Sequence, residues 1–349
     1  MHGGNVWTGG EPRDWLDFSA NLRPEGPPGW LREALCRAVE DARYYPDPDM
    51  KRAEHALAGW LGLPETYVRP TAGGASAIRL AMRLGEGRVL IFDPAFTEYR
   101  EQARLLRRET VSLPLLREGK RAADLAETAA GRLRAGDALW LCNPSNPLGC
   151  AFPREELLRL LMLAEEKGCW LVADEAFAEY CPGSSNRDLV PAHERLAVVG
   201  SMTKILGIPG VRLGYLCAQP QVLRALAPFQ LPWELGCFAA AAACALPGHR
   251  EEVQGWAEEN ARRRAPLCAG LARLGCAVYP SDAPFVLADL GRPAAPVAKA
   301  LRRRGILVRT CEDFIGLEDG RHLRLAVREE DAVRRLLDAL EEVLCAENA

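Results

Sequence analysis

The chain has 349 residues, about twice the length of an average domain and enough to bury a core without disulfides or metals. Hydrophobic residues make up 48% and charged residues 26%, which is typical of folded soluble proteins. With 44 Lys and Arg against 47 Asp and Glu, the net charge is −3. The chain therefore has no overall positive field that would attract nucleic acid or an anionic membrane.

The longest strongly apolar segment, residues 235–246, is shorter than the roughly 20 residues that a membrane span needs, and it predicts a buried helix. Residues 1–5 have neither the basic nor the apolar segment of an export signal. Twelve cysteines are present without a C-x-x-C pair. We therefore expect reduced, mostly buried thiols in a cytoplasmic protein, and no structural metal.

In chain order, the first 25 residues are rich in glycine and proline and predict an extended arm. Helical spacing follows at 30–39, 49–61 and 74–84. Short apolar runs then predict buried strands at 88–92, 138–142, 169–173 and 195–200, with amphipathic helices at 96–107, 122–134 and 153–167. This alternation predicts a mostly parallel sheet covered by helices on both faces.

Another strand is predicted at 211–218, and the pattern becomes helical from about 220, with a long charged helix at 249–274. The C-terminal part predicts strands at 276–279, 284–288, 306–309 and 322–327 and helices at 294–304 and 329–345. We therefore predict an arm at 1–25, a large α/β domain at 26–245 and a smaller α+β domain at 246–349.

Four polar segments of the large domain lie where open parallel sheets bind their ligands. Gly73-Gly74-Ala75-Ser76 opens a helix, whose first amides favour an anion. Asn143-Pro144-Ser145-Asn146-Pro147 follows a buried strand and offers rigid amide donors. In both cases an ordinary turn remains the alternative.

The other two segments carry charge. Asp174 ends a buried strand, where a carboxylate needs a cation or a donor unless it caps the next helix. Lys204 follows Ser201 and Thr203 in an otherwise uncharged stretch from 196 to 211, and Arg212 comes next. Such a lysine is a candidate for a desolvated, nucleophilic amine. Together the four segments meet the needs of pyridoxal phosphate: an amine for its aldehyde, a carboxylate for its ring nitrogen, an asparagine for its ring oxygen, and amides and hydroxyls for its phosphate.

These motifs resemble the fold-type I pyridoxal-phosphate superfamily, and within it the histidinol-phosphate aminotransferase-like branch. The motifs that carry the resemblance are Tyr45-Pro46-Asp47-Pro48, Asn143-Pro144-x-Asn146-Pro147, Asp174-Glu175-Ala176-Phe177, Ser201-x-Thr203-Lys204 and Pro209-Gly210-x-Arg212-x-Gly214-Tyr215. Residues 2–5, 17–24 and 230–233 are most similar to the threonine-phosphate decarboxylases of cobalamin biosynthesis, as are 306–311 and 323–328.

The resemblance implies a fold-type I α/β enzyme in which Lys204 forms the Schiff base with the cofactor, Asp174 pairs with the pyridine nitrogen and Asn146 bonds the ring hydroxyl oxygen. Tyr99 is implied to stack on the ring. The residues implied to bind the cofactor phosphate are Gly74, Ala75, Ser76, Ser201, Thr203 and Arg212. A homodimer is also implied, because Tyr45 reaches the phosphate of the neighbouring subunit in the family.

The substrate contacts implied by the resemblance are His2, Asn21, Asn146, Arg309 and Arg324. Arg324 is assigned to the substrate carboxylate, with Arg321 and Arg328 as alternatives. His2 and Arg309 are assigned to a substrate phosphate, although His2 could be a disordered terminus and Arg309 an ordinary strand-edge charge.

Three positions depart from the pattern of the superfamily. Leu148 replaces the usual threonine, Phe177 a frequent tyrosine and Ala77 a frequent glutamate. The leading hypothesis is decarboxylation of O-phospho-L-threonine to (R)-1-amino-2-propanol O-phosphate. A histidinol-phosphate-type aminotransferase uses the same residues and is the main alternative, and a catalytically silent cofactor-binding protein is a third.

Overall fold

The computed structural model describes residues 3–117, 120–121 and 124–346. The α-helices of this part are α1 (Gly29–Arg37), α2 (Lys51–Leu61), α3 (Gly74–Ala81), α4 (Glu98–Leu105), α5 (Leu125–Ala130), α6 (Arg154–Glu166), α7 (Pro220–Leu226), α8 (Cys237–Cys244), α9 (Arg250–Arg273), α10 (Ala294–Arg303) and α11 (Glu330–Ala346). No helix of these ranges has both the length and the apolar character needed to cross a membrane.

The strands of the same ranges are β1 (Leu16–Asp17), β2 (Val68–Thr71), β3 (Val89–Asp93), β4 (Thr110–Pro114), β5 (Leu116–Arg117), β6 (Lys120–Arg121), β7 (Ala138–Cys142), β8 (Trp170–Asp174), β9 (Leu196–Ser201), β10 (Gly214–Cys217), β11 (Ala277–Val278), β12 (Phe285–Asp289), β13 (Ile306–Leu307), β14 (Arg309–Thr310) and β15 (His322–Ala326).

Seven strands form the large sheet, in the order β2-β10-β9-β8-β7-β3-β4. The five strands from β9 to β4 are parallel, whereas β10 runs antiparallel to both of its neighbours. Strands β3, β7 and β9 are buried at every position, because helices cover both faces of the sheet. The predicted α/β class with a mostly parallel sheet is confirmed.

The sequence analysis missed the two edge strands of this sheet. β2 contains Pro70, which lacks a backbone N–H and is tolerated because β2 pairs on one side only. β4 is half-buried along most of its length, so it lacks the continuous apolar run that identified the central strands. The formation of both edge strands therefore depends on pairing with a single neighbouring strand, and no strong local sequence pattern predicts them.

A second, antiparallel sheet in the order β11-β12-β15-β14 forms the core of the C-terminal part with α9, α10 and α11. The N-terminal segment is joined to this part of the chain by a separate parallel pair, β1–β13, and by the Ala326 amide of β15, which donates to the carbonyl of Phe18 at 2.8 Å. The predicted boundaries of arm and domains stay a prediction. What the structure adds is that residues 16–18 are attached to the C-terminal sheet.

Candidate active site

Four side chains from different segments lie at the carboxyl edge of the large sheet. Asp174 ends β8, Lys204 lies just after β9, Asn146 lies in the loop after β7, and Tyr99 belongs to α4 after β3. Because β3, β7, β8 and β9 are adjacent and parallel, their carboxyl ends lie at the same edge. The structure therefore brings together residues that are more than 100 positions apart in the sequence.

Lys204 is half-buried, and none of the described residues makes a hydrogen bond or ion pair with its Nζ atom. Its backbone carbonyl accepts hydrogen bonds from the Arg23 amide and the Tyr180 hydroxyl, both at 3.1 Å. Burial, followed by the positive charges of Arg324 and Arg212, lowers the pKa of Lys204 to about 8. About a tenth of the amine is therefore neutral, and nucleophilic, at pH 7, far more than for an ordinary lysine.

Asp174 is buried and bound on both carboxylate oxygens. Oδ2 accepts from the Tyr99 hydroxyl at 2.5 Å, and Oδ1 accepts from the Ala176 amide at 3.0 Å. Burial raises the pKa of Asp174, while these hydrogen bonds and the charge of Lys204 act in the opposite direction. The carboxylate is thus held in one orientation by donors that favour its charged form.

The stacking role of Tyr99 stays a prediction, and the packing of its side chain does not favour it. Its side chain has no exposed surface, its hydroxyl bonds Asp174, and its ring packs on Trp140 with centroids 5.0 Å apart. A ring without an exposed face cannot cover a cofactor. Phe96 is the half-buried aromatic of the same segment and lies edge-on to Tyr99 at 6.0 Å. The sequence offered both aromatics, but only the packing distinguishes them.

Arg324 connects the small sheet with the large one. Its Nη1 donates to Asn146 Oδ1 at 2.6 Å and its Nη2 to the Ser19 carbonyl at 3.0 Å, while Nε is buried without a partner in the described residues. Burial lowers the pKa of Arg324 to about 10. This guanidinium therefore remains charged near neutral pH, with neutral hydrogen-bond acceptors in the described part of the chain.

The two arginines that competed with Arg324 in the sequence analysis point elsewhere. Arg321 is exposed and pairs with Asp289. Arg328 donates through Nε to the Asp17 carbonyl at 2.8 Å. The geometry therefore favours Arg324 over both alternatives.

The first turn of α3 forms a cradle for an anion. In the described residues, neither the Gly74 nor the Ala75 amide has a hydrogen-bond acceptor. A Cβ atom at Gly73, whose φ is 79°, would lie 2.7 Å from a guanidinium nitrogen of Arg212. Only glycine therefore lets Arg212 approach this turn so closely.

Two hydroxyls complete the cradle. Ser201 and Thr203 share a hydrogen bond of 2.7 Å, and a Cβ atom at Gly74 would lie 3.2 Å from Ser201 Cβ. Ser76 differs from the prediction, because its amide donates to the Gly73 carbonyl at 3.1 Å and its hydroxyl donates to Glu234. The cradle as folded consists of two open amides, two hydroxyls and one guanidinium.

Glu234 was not singled out from the sequence. Its Oε1 accepts from the Ala72 amide at 3.2 Å as well as from Ser76, so it holds the loop before α3. The two partners are 162 and 158 positions away, and no local pattern indicates the pairing.

The remaining predicted substrate residues are distributed as follows. Asn21 is buried, and its Oδ1 has no partner in the described part of the chain. Arg309 is buried and pairs with Asp313 at 2.7 Å. Tyr45 is 81% exposed and packs on Trp233 with centroids 4.7 Å apart. His2 lies outside the described residues. The departures Leu148, Phe177 and Ala77 are all buried side chains.

A buried polar network next to Asp174 also escaped the sequence analysis. Glu175 accepts from the Asn186 amide at 2.6 Å and from the Ser185 hydroxyl. The neighbouring Ser184 carbonyl accepts from Asn143 Nδ2 at 2.9 Å, so the network reaches the loop that carries Asn146. Burial raises the pKa of Glu175 to about 7.

Comparison with known proteins relates this geometry to a family. The model of the family "Aminotransferase class I and II" matches residues 13–340. The chain belongs to this family. Its members are pyridoxal-phosphate enzymes, so both the predicted fold-type I architecture and the predicted cofactor are confirmed.

Individual members of the aminotransferase class I and II family carry two different names. A histidinol-phosphate aminotransferase of Symbiobacterium thermophilum is 34% identical, with 95% of this chain and 91% of the relative covered. A threonine-phosphate decarboxylase of Salmonella typhimurium is 32% identical, with 98% and 96% covered. The solved histidinol-phosphate aminotransferase of Clostridium acetobutylicum has a TM-score of 0.86 at 27% identity, with 94% and 99% covered. The protein is therefore an enzyme of the aminotransferase-like family, and its reaction is a separate question.

Replacing Tyr99 by Phe is expected to destabilise the fold, because it leaves a buried carboxylate oxygen of Asp174 without its donor. The loss should be about 1.5–3 kcal/mol of unfolding free energy at pH 7, as for a hydrogen bond to a charged group. Urea denaturation measures it. The matched control is Tyr180→Phe, which removes a hydroxyl from a neutral carbonyl acceptor and should cost about 1 kcal/mol. Equal losses in the two variants would contradict a charged Asp174.

Replacing Glu175 by Gln is expected to change how stability depends on pH. The pKa of Glu175 is raised from 4.5 to about 7 in the folded protein. The contribution of its protonated form to the free energy of unfolding is therefore fully present below about pH 4.5 and is lost as the pH rises through 7. Between pH 4.5 and 7 the free energy of unfolding of the variant should rise, relative to that of the parent, by up to about 3 kcal/mol. Urea denaturation at several pH values tests this, and a constant difference between the two proteins across the window would contradict it.

Proposed function

We propose that this enzyme decarboxylates O-phospho-L-threonine to (R)-1-amino-2-propanol O-phosphate, a reaction of cobalamin biosynthesis. The observation that carries the proposal is the pair Arg309 and Arg324, which lie directly opposite each other on β14 and β15. Two guanidiniums on one face of a sheet suit a substrate with two anionic ends, because arginine binds both carboxylates and phosphates. The Salmonella relative, named for this activity, adds support.

The residues at the carboxyl edge of the sheet fit pyridoxal phosphate. The open Gly74 and Ala75 amides, the hydroxyls of Ser201 and Thr203, and Arg212 suit its phosphate. The desolvated amine of Lys204 suits its aldehyde, and Asp174 and Asn146 suit its ring nitrogen and ring oxygen. When bound, the cofactor supplies an acceptor for the electron pair that a broken bond leaves at Cα.

Each chain residue has a definite task in this proposal. Asp174, held by Tyr99, keeps a proton at the ring nitrogen. Lys204, with its lowered pKa, accepts and returns protons at the amino group and near Cα. Phe96 is proposed to cover the ring in place of Tyr99, because it retains exposed surface at this edge.

The substrate anchors decide which bond at Cα breaks. Arg324 is proposed to hold the carboxylate together with Asn146, and Arg309 the phosphate. With both ends fixed, the torsion about Cα is fixed, and the bond to the carboxylate can stand perpendicular to the cofactor ring. Gly3 lies beside Ser19 and near Arg324, since a Cβ atom there would be 3.4 Å from its Nη2. This position supports a role for the N-terminal segment, and for Asn21 and His2, at the substrate.

A histidinol-phosphate-type aminotransferase is the second candidate. It is favoured by the relative of that name at 34% identity. It needs the same lysine, the same carboxylate and a phosphate anchor, and it differs in aligning the Cα–H bond instead of the bond to a carboxylate. The choice therefore depends on substrate orientation rather than on a further catalytic group.

We also propose a homodimer with shared active sites. Tyr45 is exposed, and beside it a cavity of about 470 Å³ lies between α1, α2 and α8. A second copy covering this surface would bury the exposed aromatic side chains of Tyr44, Tyr45 and Trp233. The cytoplasmic location and the arm and domain boundaries stay predictions.

The reaction is tested by incubating the holoenzyme with phosphothreonine and no keto acid. We expect release of carbon dioxide and of a phosphorylated amino alcohol in equal amounts. In parallel, the holoenzyme is given histidinol phosphate with 2-oxoglutarate, and glutamate is measured. Glutamate formation without any carbon dioxide in the first assay would replace the decarboxylase by the aminotransferase.

Replacing Lys204 by Ala is expected to abolish turnover and the covalent link to the cofactor, because Lys204 supplies the amine at this edge. Borohydride reduction followed by peptide mapping should label Lys204 in the parent and no lysine in the variant. The control is Lys299→Ala, which removes an amine from α10 in the C-terminal part of the chain. This variant should leave both the labelling of Lys204 and the rate unchanged. A label on another lysine would overturn the assignment.

A further inference from the structure

Arg309 and Arg324, the two proposed substrate anchors of the small sheet, differ in how their charge is compensated. Both side chains are buried, and the two residues are directly paired in the register of β14 and β15. Like charges at such a pair repel each other unless an anion is shared or added. Each guanidinium therefore needs a partner, either from the chain or from a ligand.

The two arginines have different hydrogen-bond acceptors. Arg324 donates to the amide oxygen of Asn146 and the carbonyl of Ser19, which are neutral acceptors. Arg309 instead donates from Nη2 to both carboxylate oxygens of Asp313, at 2.8 and 2.7 Å. In the described part of the chain, Arg324 therefore offers an uncompensated charge, whereas Arg309 is already paired with an anion.

The location of Asp313 allows this pair to open. Asp313 lies four positions after Arg309, beyond the end of β14, and its side chain is 32% exposed against 8% for Arg309. An ion pair between near neighbours in sequence can separate by a local movement, and an exposed carboxylate is readily hydrated when it does. The buried guanidinium would then need another anion.

We propose that Asp313 is a specificity-determining residue of the substrate site, whose carboxylate competes with the phosphate group of the ligand for Arg309. The inference rests on the proposed function only in assigning the substrate phosphate to Arg309. Free inorganic phosphate must displace Asp313 with the binding free energy of a single site. A phosphorylated amino acid is also held at its carboxylate and amino group, so its phosphate meets Arg309 at a high effective concentration. Asp313 thus makes the site reject free phosphate while accepting the complete substrate.

The test is binding of inorganic phosphate to the holoenzyme at pH 8, measured by titration calorimetry. In the holoenzyme the cradle at α3 is filled by the cofactor, so the added phosphate reports on the substrate site. Replacing Asp313 by Asn removes the competing charge and should tighten phosphate binding by about tenfold or more, since a charge-assisted hydrogen bond becomes available. The KM for phosphothreonine should fall by a smaller factor.

The matched control is Glu312→Gln. Glu312 is the adjacent exposed carboxylate and accepts from the Thr310 hydroxyl at 3.0 Å rather than from Arg309. Phosphate binding in this variant should change less than twofold, which separates competition at Arg309 from a general change in charge. Asp313→Ser serves as a second variant with the same expected direction, in case the Asn side chain itself bonds Arg309.

Unchanged or weaker phosphate binding in both Asp313 variants would overturn the proposal, because Asp313 would then be irrelevant to the anion or would align Arg309 for it. The calorimetric result does not depend on which bond the enzyme breaks. If phosphothreonine is not decarboxylated while Asp313→Asn binds phosphate more tightly, the proposed function fails and this inference stands. If phosphothreonine is decarboxylated while phosphate binding is unaltered in both variants, the proposed function stands and this inference fails.

Discussion

Two charged groups at the carboxyl edge of the large sheet, Asp174 and Lys204, are partly or wholly removed from water, and the arrangement around them follows from that constraint. Asp174 is buried at the end of β8 and is stabilised by the Tyr99 hydroxyl and a backbone amide. Lys204 responds differently, because its amine has no fixed partner among the described residues and its pKa falls to about 8. One group is thereby held in place by fixed donors and the other is kept reactive, at the same edge of the sheet.

Arg324 is a third buried charged group, and its hydrogen bonds connect three parts of the chain. It belongs to β15 of the small sheet, donates to Asn146 of the large part, and donates to Ser19 of the N-terminal segment. A buried guanidinium is costly unless its donors are satisfied, so these three parts of the chain are held together at one point. If Arg324 binds the substrate carboxylate as proposed, some of these hydrogen bonds are exchanged for bonds to the substrate.

The family can support decarboxylation or transamination with the same central residues, since the cofactor provides the electron acceptor for both. In the proposed function, selection between the two reactions depends on the side chains that bind the ends of the substrate. The proposed anchors are Arg324, which is bonded to neutral acceptors, and Arg309, which is paired with Asp313. Under this proposal, the charge at each end of a ligand determines whether it fits the site.

Local sequence patterns were sufficient to predict the mostly parallel sheet and to single out the candidates Lys204, Asp174, Asn146 and Arg212. These follow from local features, since a continuous apolar run marks a strand buried on both faces and a polar residue at its end must lie at the edge of the sheet. Only the folded chain shows the edge strands β2 and β4, the partner of Asp174, the bond of Ser76 to Glu234, and the pairing of Arg309 with Asp313. Apart from the last, these depend on contacts between distant segments, and in every case the direction of a side chain is set by packing and by the satisfaction of buried polar groups rather than by its neighbours in sequence.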